Sequence, residues 1–295
     1  MNNFHNIYNP ITAAPFRNDS TYVEITPCDG LKPYVKCFWG TVTPVTKAKK
    51  DTITDELIIP DTCMDIIFHV NYTENVVNSS FIGINDKTFM DTSSNNKEET
   101  ISIFGIRFYA WTAALFSDES MSGVRNNVFD PWQHYSKIKS AIEPLLYDIS
   151  AINKRVEIAE KILLEELKIK RVNHNLESAV FCILRNKGNI KTAALADEIF
   201  ISSRQLERIF REYTGVSPKQ LTSLVRYQCL WNDILFHKHF NIFDAVQLYG
   251  YTDQSHLLHD FKRYHTLLPN EAKRYAFLNA KNNVANLQYN YEIKD

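Results

Sequence analysis

The sequence is poor in glycine and has no long apolar run. Only 8 of its 295 residues are glycine, and no stretch has the form G-x-x-x-x-G-K-[ST], which argues against an NTPase phosphate loop. No segment approaches the roughly 18 consecutive apolar residues that a membrane-spanning helix needs. The first twenty residues contain no basic stretch followed by an apolar one, so no secretory signal is predicted. These absences predict a cytoplasmic protein that does not enter a membrane.

Clusters of reactive side chains are also scarce. The five cysteines form no C-x-x-C pair, which argues against a disulfide framework and a zinc knuckle. Asp61, Cys63, Asp65 and His69 lie close together, but neither a metal-binding histidine pattern nor a base paired with the thiol accompanies them. The sequence therefore predicts no catalytic residue, no metal site and no cofactor, and the protein is predicted not to be an enzyme.

The net charge differs between the N-terminal and C-terminal parts of the chain. Residues 1–150 carry 12 Lys and Arg against 18 Asp and Glu, a net −6, whereas residues 185–278 carry 13 against 9, a net +4. Only the second region suits a polyanion such as nucleic acid, although an excess of four charges also fits simple solubility.

Short β-branched and aromatic runs dominate the chain from Tyr22 to about Phe108. Runs such as YVKCFWGTV and MDIIFHV predict a small β-sandwich or barrel with a packed interior. Two hydrophilic segments, 46–55 and 91–100, are predicted to be exposed loops.

Helical spacing follows in residues 133–148 and 154–168. The second helix has an apolar stripe, which packs either on its own domain or on a second copy in a dimer. The stripe consists of Val156, Ala159, Ile162, Leu163 and Leu167. A polar stretch, 168–175, is typical of a hinge between domains. The tail, 279–295, is predicted to fray.

The C-terminal part contains a repeat with an offset of 51 residues. The matching positions share apolar, aromatic, capping, cationic or proline character: Ala194 and Ala245, Phe200 and Tyr251, Ser202 and Asp253, Leu206 and Leu257, Phe210 and Phe261, Arg211 and Lys262, Tyr213 and Tyr264, Pro218 and Pro269. Each unit has a short apolar helix, a tight turn and a second helix, which is the helix-turn-helix plan. Ser202 with Gln205 predicts a capping box, Asp253 a second cap, and Gly215 a left-handed helix end.

One long helix is predicted to join the two units. Ser217 and Pro218 suit its N-cap and its first position, and it extends to about residue 237, or roughly 30 Å. Because one turn of DNA is ~34 Å long, the second helices, 202–213 and 253–265, are predicted to enter successive major grooves on one face of a duplex.

These residues resemble the AraC/XylS family of bacterial transcription regulators over about residues 174–276. The first unit fits S-x-R-x-L-x-R-x-F-(K/R)-x-x-x-G-x-(S/T)-P with Ser202, Arg204, Leu206, Arg208, Phe210, Arg211, Gly215, Ser217 and Pro218. The second fits G-(F/Y)-x-D-Q-S-x-(F/L)-x-x-x-F-K with Gly250, Tyr251, Asp253, Gln254, Ser255, Leu257, Phe261 and Lys262. The resemblance implies a seven-helix DNA-binding domain. The predicted partners are double-stranded DNA and RNA polymerase, and the predicted role is that of an activator, with a repressor as the alternative.

The sequence departs from this family at several positions. Phe200-Ile201 stands in the first turn without the usual glycine, and Thr266 and Leu268 replace Gly and Ser/Thr in the second unit, so the last helix is expected to lose its cap. Leu258 either contacts thymine methyl groups or packs against the long helix.

The outward positions of the two second helices, together with Lys219 at the start of the long helix, give the predicted DNA contacts. The predicted base contacts are Ser203, Arg204, Glu207, Arg208, Gln254, Ser255, Leu258 and His259. The predicted phosphate contacts are Arg211, Lys219, Lys262 and Arg263. Donor-rich side chains near the amino end of a recognition helix suit base edges, whereas cations farther along suit phosphates.

The N-terminal region loosely resembles a β-rich domain fused to some of these regulators, in LKPYVKCFWG, IIPDTCMDIIFHV and IFGIRFYAW. In that family such domains bind a small-molecule effector, dimerise, or both, often on a cupin-like barrel. The candidate effector pocket consists of Trp39, Phe68, Phe104, Arg107, Phe108 and Trp111, with Arg107 as a partner for an anionic group. Plain core packing of the aromatic residues is the alternative.

The predicted fold class is α+β with two domains. The first, 1–170, is a β-sandwich or cupin-like barrel with flanking helices that binds an effector, dimerises, or both. The second, 174–278, is all-α and carries two helix-turn-helix units joined by a long helix. The predicted function is sequence-specific, effector-responsive transcription regulation. Its alternative is a ligand sensor or enzyme whose helical domain binds protein rather than DNA, and a homodimer would form through the N-terminal domain or helix 154–168.

Overall fold

The structure, a computed structural model, describes residues 4–12, 21–47, 50–95 and 98–279. A β-rich N-terminal part precedes an all-helical C-terminal part, so the predicted α+β class is confirmed. The strands are β1 (Tyr22–Ile25), β2 (Val35–Thr41), β3 (Val45–Lys47), β4 (Lys50–Ile58), β5 (Cys63–Asn71), β6 (Val76–Ile82), β7 (Phe89–Asn95), β8 (Glu99–Tyr109) and β9 (Val128–Phe129).

Seven of these strands form one antiparallel sheet in the order β1-β2-β8-β5-β6-β9, with β3 also paired to β8. The long β8 lies inside the sheet, between β2 and β5. Its apolar residues are buried on both faces of the sheet. Phe104 on β8 stacks on Phe38 and Phe68 at ring distances of 6.1 and 6.3 Å. A Cβ atom at Gly105 would lie 2.2 Å from the Trp39 ring, so glycine is needed there for the indole to lie against β8.

The prediction of two exposed loops at 46–55 and 91–100 is wrong. Most of these residues belong to β3, β4, β7 and the start of β8, and β4 and β7 pair as a separate two-stranded sheet. The register places Ile58 opposite Phe89 and Asp55 opposite Thr92. Backbone hydrogen bonds form such a ladder without an alternating apolar pattern, so hydrophilic composition alone did not identify it.

Two helices pack beside the sheet, α1 (Trp132–Ile142) and α2 (Ile152–Glu166). Val156, Ala159 and Leu163 of the predicted stripe are buried within the single chain, and α2 contacts both α1 and β2. The stripe therefore packs on its own domain. A dimer through this helix would have to use its other face, where Leu164 is 47% exposed.

Arg155 joins α2 to the sheet and was not expected in the core. Its guanidinium donates to Ser102 Oγ at 2.8 Å, Tyr72 OH at 3.0 Å and the carbonyl oxygens of Ile149 and Leu146 at 2.6 and 2.8 Å. Burial lowers the pKa of Arg155, and the Tyr72 hydroxyl partly opposes this. The cation is thus stabilised by neutral acceptors, which satisfy its donors in place of water.

The helical part contains seven helices within the described ranges, the number that the resemblance implies. They are α3 (His174–Arg185), α4 (Thr192–Glu198), α5 (Ser203–Thr214), α6 (Pro218–Phe236), α7 (Ile242–Leu248), α8 (Gln254–His265) and α9 (Pro269–Asn279). The predicted long helix is α6, with 19 residues and a length of about 28 Å. The predicted frayed tail, 279–295, lies outside the described residues from position 280 onward.

Candidate nucleic-acid interface

The first helix-turn-helix unit consists of α4 and α5. Ser202 Oγ accepts a hydrogen bond from the Gln205 amide at 3.2 Å, which is one of the two bonds of the predicted capping box. Gly215 ends α5 in the left-handed conformation with φ 73°, as predicted. Leu206 and Phe210 are fully buried. A full capping box, with both reciprocal bonds, is found at Ser217, the N-cap of the next helix, α6.

The opposite face of α5 is open to solvent and cationic. Ser203, Arg204 and Arg208 are exposed, whereas Glu207 is half-buried. Glu207 Oε1 lies 2.8 Å from Arg211 Nη2, and Arg208 Nη1 lies 3.6 Å from Glu212 Oε2. Such exposed i,i+4 pairs stabilise a helix by only a few tenths of a kcal/mol, so they leave these arginines available to a stronger anionic partner.

The second unit consists of α7 and α8. Asp253 Oδ1 caps α8 by accepting from the His256 amide at 2.8 Å. Among the predicted contacts on α8, five are exposed and one is half-buried. Gln254, Ser255, His259, Lys262 and Arg263 are exposed, and Leu258 is half-buried against the apolar core. That α5 and α8 enter successive major grooves on one face of a duplex stays a prediction.

Asp260 anchors α8 to α6 and was missed from the sequence. Only 7% of this residue is exposed. Its carboxylate accepts from Arg226 Nη2 at 2.9 Å and from Tyr251 OH at 3.1 Å, and it lies 3.2 Å from Arg263 Nη2. The Arg226 guanidinium also lies 4.4 Å from the centre of the Tyr251 ring. The sequence contains a signal for this role, because an acidic residue three positions after the core residue Leu257 lies on the buried stripe of the helix.

The last helix retains part of its cap despite the departures at Thr266 and Leu268. Thr266 itself adopts the left-handed conformation, with φ 67°, and its amide donates to the Lys262 carbonyl oxygen. The Leu268 amide donates to Glu271 Oε2 at 2.9 Å. The expected loss of the cap of α9 is therefore wrong in part, because an acidic side chain three residues later can satisfy an amino-terminal amide without a hydroxyl at the N-cap.

The two turns differ by one residue, which corrects part of the predicted repeat. Phe200 and Ile201 donate to the Asp197 and Ala196 carbonyl oxygens, as Gly250 and Tyr251 do to those of Gln247 and Val246. Phe200 therefore corresponds to Gly250 and not to Tyr251, and Ala245 corresponds to Leu195 rather than Ala194. The offset is 50 up to the turns and 51 from Ser202 and Asp253 onward, because the second turn carries one extra residue, Thr252.

Phe200 consequently occupies a left-handed position that the second unit gives to glycine. Its φ is 58° and its side chain is 94% exposed, so the conformational strain of a bulky residue has no compensating burial. Phe200→Gly is expected to raise the free energy of unfolding by about 1 kcal/mol, since relief of strain exceeds the entropy cost of glycine. Denaturant titration of the full chain measures this. Phe200→Ala, which keeps the strain, should give no such gain, and equal stability of the glycine and alanine variants would contradict the explanation.

The N-terminal domain contacts the carboxyl ends of both predicted reading helices. The Met121 amide donates to the Glu212 carbonyl oxygen at 2.8 Å, and Thr88 Oγ1 donates to the Tyr264 carbonyl oxygen. At the end of α5, a Cβ on Gly215 would lie 2.7 Å from the Met121 oxygen. The two domains are thus connected at the last turns of α5 and α8.

Gln228, in the middle of α6, makes a buried connection between the domains. It is 2% exposed. Its Oε1 accepts from the Ile11 amide at 2.8 Å and its Nε2 donates to the Pro60 carbonyl oxygen at 2.5 Å. Tyr8, on the same N-terminal segment, lies with its hydroxyl 3.1 Å from Thr62 Oγ1.

The six candidate pocket residues lie in the sheet and the segment after it. Phe68, Phe104 and Phe108 are fully buried, and Trp39, Arg107 and Trp111 are at most 9% exposed. Their rings pack on other aromatic residues, such as Phe108 on Phe116 at 4.9 Å. An effector pocket among them stays a prediction that would require these rings to separate.

Arg107 lies among three carboxylates. Its Nε donates to Asp65 Oδ1 at 2.8 Å, and its Nη1 lies 3.8 Å from both Glu24 and Asp61. Trp39 Nε1 donates to the same Asp65 oxygen at 2.7 Å. Burial raises the pKa of Asp61, and Arg107 opposes this. An anionic effector at Arg107 would have to displace one of these carboxylates.

Metal-binding clusters and membrane-spanning helices are absent from the residues that the structure describes. No group of three or more His, Cys, Asp or Glu there is placed to hold a metal ion. No helix in the same ranges is long and apolar enough to cross a membrane.

Residues 195–275 match the family described as a helix-turn-helix domain, and residues 23–130 match a family described as a domain of unknown function (DUF6597). A search of curated protein sequences gives no match.

Several solved structures match this chain at low sequence identity. An AraC-type transcriptional regulator from Chromobacterium violaceum has 21% identity, with 35% of this chain and 92% of that chain covered at a TM-score of 0.32. ToxT from Vibrio cholerae has 14% identity, with 82% and 98% covered at 0.38. ToxT with a bound unsaturated fatty acid has 10% identity, with 88% and 96% covered at 0.39. Residues 195–275 are therefore an AraC-type helix-turn-helix domain.

Proposed function

We propose that this regulator binds specific DNA sequences by placing α5 and α8 in successive major grooves, and that the N-terminal domain makes this binding responsive to an effector. The observation that carries the proposal is the pair of capped helices with exposed donors near their amino ends, held by one 19-residue helix. The apolar face of each helix is buried, so each exposes an outward face that carries donors and cations.

Arg204 and Arg208 are the proposed base readers of α5, with Ser203 and Glu207 beside them. On α8 the proposed readers are Gln254, Ser255, Leu258 and His259. Arginine can donate two hydrogen bonds to guanine in the major groove, whereas glutamine can pair with adenine. Arg211, Lys219, Lys262 and Arg263 are proposed to contact phosphates.

The proposed response to an effector is supported by the connections between the domains. Met121 and Thr88 bond to the ends of α5 and α8, and Gln228 fixes the N-terminal segment to α6. A cleft of about 650 Å³ lies beside Gln228, between residues 5–9, helices α3 and α6, and Tyr249 after the end of α7. This volume is in the range of small-molecule sites, which occur preferentially between domains. Thermal unfolding of the full chain with metabolites tests this part, and no shift with any compound would favour a dimerisation role.

Arg208→Ala is expected to reduce discrimination between a selected operator and random duplex by roughly 5- to 150-fold, because a bidentate base contact is worth about 1–3 kcal/mol. Lys262→Ala, the matched control, should weaken binding to both duplexes alike and reduce the slope of log affinity against log salt by about one. The operator is obtained by selection from random duplexes with the full chain, and affinities are measured at several salt concentrations.

Two outcomes would contradict the proposal. Unchanged operator discrimination in Arg208→Ala would show that α5 is aligned wrongly on the DNA. If the wild-type chain selects no sequence at any salt concentration, the result favours the alternative function, a sensor whose helical domain binds protein.

A further inference from the structure

A cleft of about 430 Å³ lies where the N-terminal domain meets the helical domain, and cations from both domains line it. Lys87 comes from the segment between β6 and β7, Lys219 from the first turn of α6 and Arg263 from the last turn of α8. The sequence predicted phosphate contacts for Lys219 and Arg263, but it gave no reason to place Lys87 beside them, because 132 residues separate it from Lys219.

The positive charge of this cleft is incompletely neutralised. Lys87 and Lys219 are exposed, and neither has an ion pair within the described part of the chain. Arg263 shares the Asp260 carboxylate with Arg226. The acidic residue in the wall, Asp86, is already occupied, since it accepts from Asn126 Nδ2 at 2.7 Å and lies 3.5 Å from Arg125 Nη1.

The position of the cleft relates it to both reading helices. Lys219 follows the last residue of α5, Thr214, by five positions, and Arg263 lies two residues before the end of α8. A helix that lies in the major groove meets the phosphate backbones at the edges of that groove, where cations fix its orientation. Cations at the ends of two such helices are therefore placed for the phosphates that border the two grooves.

We propose that Lys87 extends the DNA-binding surface into the N-terminal domain by contacting backbone phosphates together with Lys219 and Arg263. This inference rests on the proposed function. Its consequence is a direct link between the sensor domain and DNA, because Thr88, the next residue, bonds to the Tyr264 carbonyl oxygen at the end of α8. A displacement of residues 86–88 would change the hydrogen bond to the end of α8 and the proposed phosphate contact of Lys87 together.

Lys87→Gln in the full chain tests the proposal, with Lys161→Gln as the matched control. Lys161 is an exposed lysine of α2 in the same domain, and it is not in the wall of this cleft. Because each phosphate contact contributes about 0.9 to the salt slope, Lys87→Gln should reduce the slope by roughly that amount and weaken binding about eightfold at 0.1 M salt. Operator and random duplex should be affected equally, and Lys161→Gln should behave as wild type.

Two results would overturn the proposal. Binding by Lys87→Gln that is indistinguishable from Lys161→Gln would remove Lys87 from the interface. Tighter binding by Lys87→Gln would show that this segment blocks DNA or serves another partner. Failure of this inference is distinguishable from failure of the proposed function, because in the first case Arg208→Ala still loses discrimination, and in the second the wild-type chain shows no sequence preference.

Discussion

Replacing Gln228 by leucine is expected to lower the free energy of unfolding of the full chain by about 2–5 kcal/mol. The side chain is 2% exposed, and both ends of its amide bond across the domain boundary, one to the Ile11 amide and one to the Pro60 carbonyl oxygen. Leucine fills a similar volume but leaves both backbone groups without a partner, and each buried unsatisfied group costs about 1–3 kcal/mol. Denaturant unfolding measures the loss.

Asn232→Leu is the matched control for this substitution. Asn232 is one turn farther along α6, is half-buried and lies in the wall of the same 650 Å³ cleft, but it makes no interdomain hydrogen bond in the part of the chain that the structure describes. It should change stability by less than about 1 kcal/mol. Hydrogen exchange gives a second measurement, because the Ile11 amide should lose its protection in Gln228→Leu alone. Equal stability of the two variants would contradict the role of Gln228 as the interdomain link.

The helical units could be predicted from the sequence because their signals are local. A cap such as Ser202 or Asp253, a left-handed end such as Gly215, and a stripe such as Leu206 with Phe210 each act within a few residues. The one-residue difference between the turns could not be found this way, since Phe200 takes a conformation that its side chain disfavours. Only the matching backbone hydrogen bonds identify it as the counterpart of Gly250.

The contacts that hold the site together are long-range and were missed for that reason. The structural role of Asp260 becomes visible only in the folded chain, where Arg226 of α6 lies 2.9 Å from its carboxylate. Likewise, Lys87 becomes a candidate for DNA binding only when the fold places it in one cleft with Lys219. Polar residues on a buried stripe are the one sequence signal for such networks, because charges are rarely buried without a partner.

His265, at the end of α8, is expected to make the folded state sensitive to mild acid. It is 3% exposed, its Nδ1 lies 2.8 Å from Tyr227 OH, and its ring stacks on Phe261 at 5.1 Å. Burial lowers the pKa of His265 to about 3, whereas an unfolded chain gives a histidine a pKa of about 6.5. Below pH 6.5 the unfolded state therefore binds a proton that the folded state refuses, so this contribution to stability is complete above about pH 6.5 and falls as the pH falls toward 3.

The expected loss from this residue between neutral pH and pH 5 is about 2 kcal/mol. His265→Gln should destabilise the chain at neutral pH, because it leaves a gap beside Phe261, but its deficit relative to wild type should narrow by that amount at pH 5. Other titrating groups, such as Asp61, act equally in both proteins and cancel in the difference. His239→Gln, at an exposed site, should leave the wild-type pH dependence unchanged. Parallel curves of stability against pH for wild type and His265→Gln would contradict the neutral buried imidazole at the end of α8.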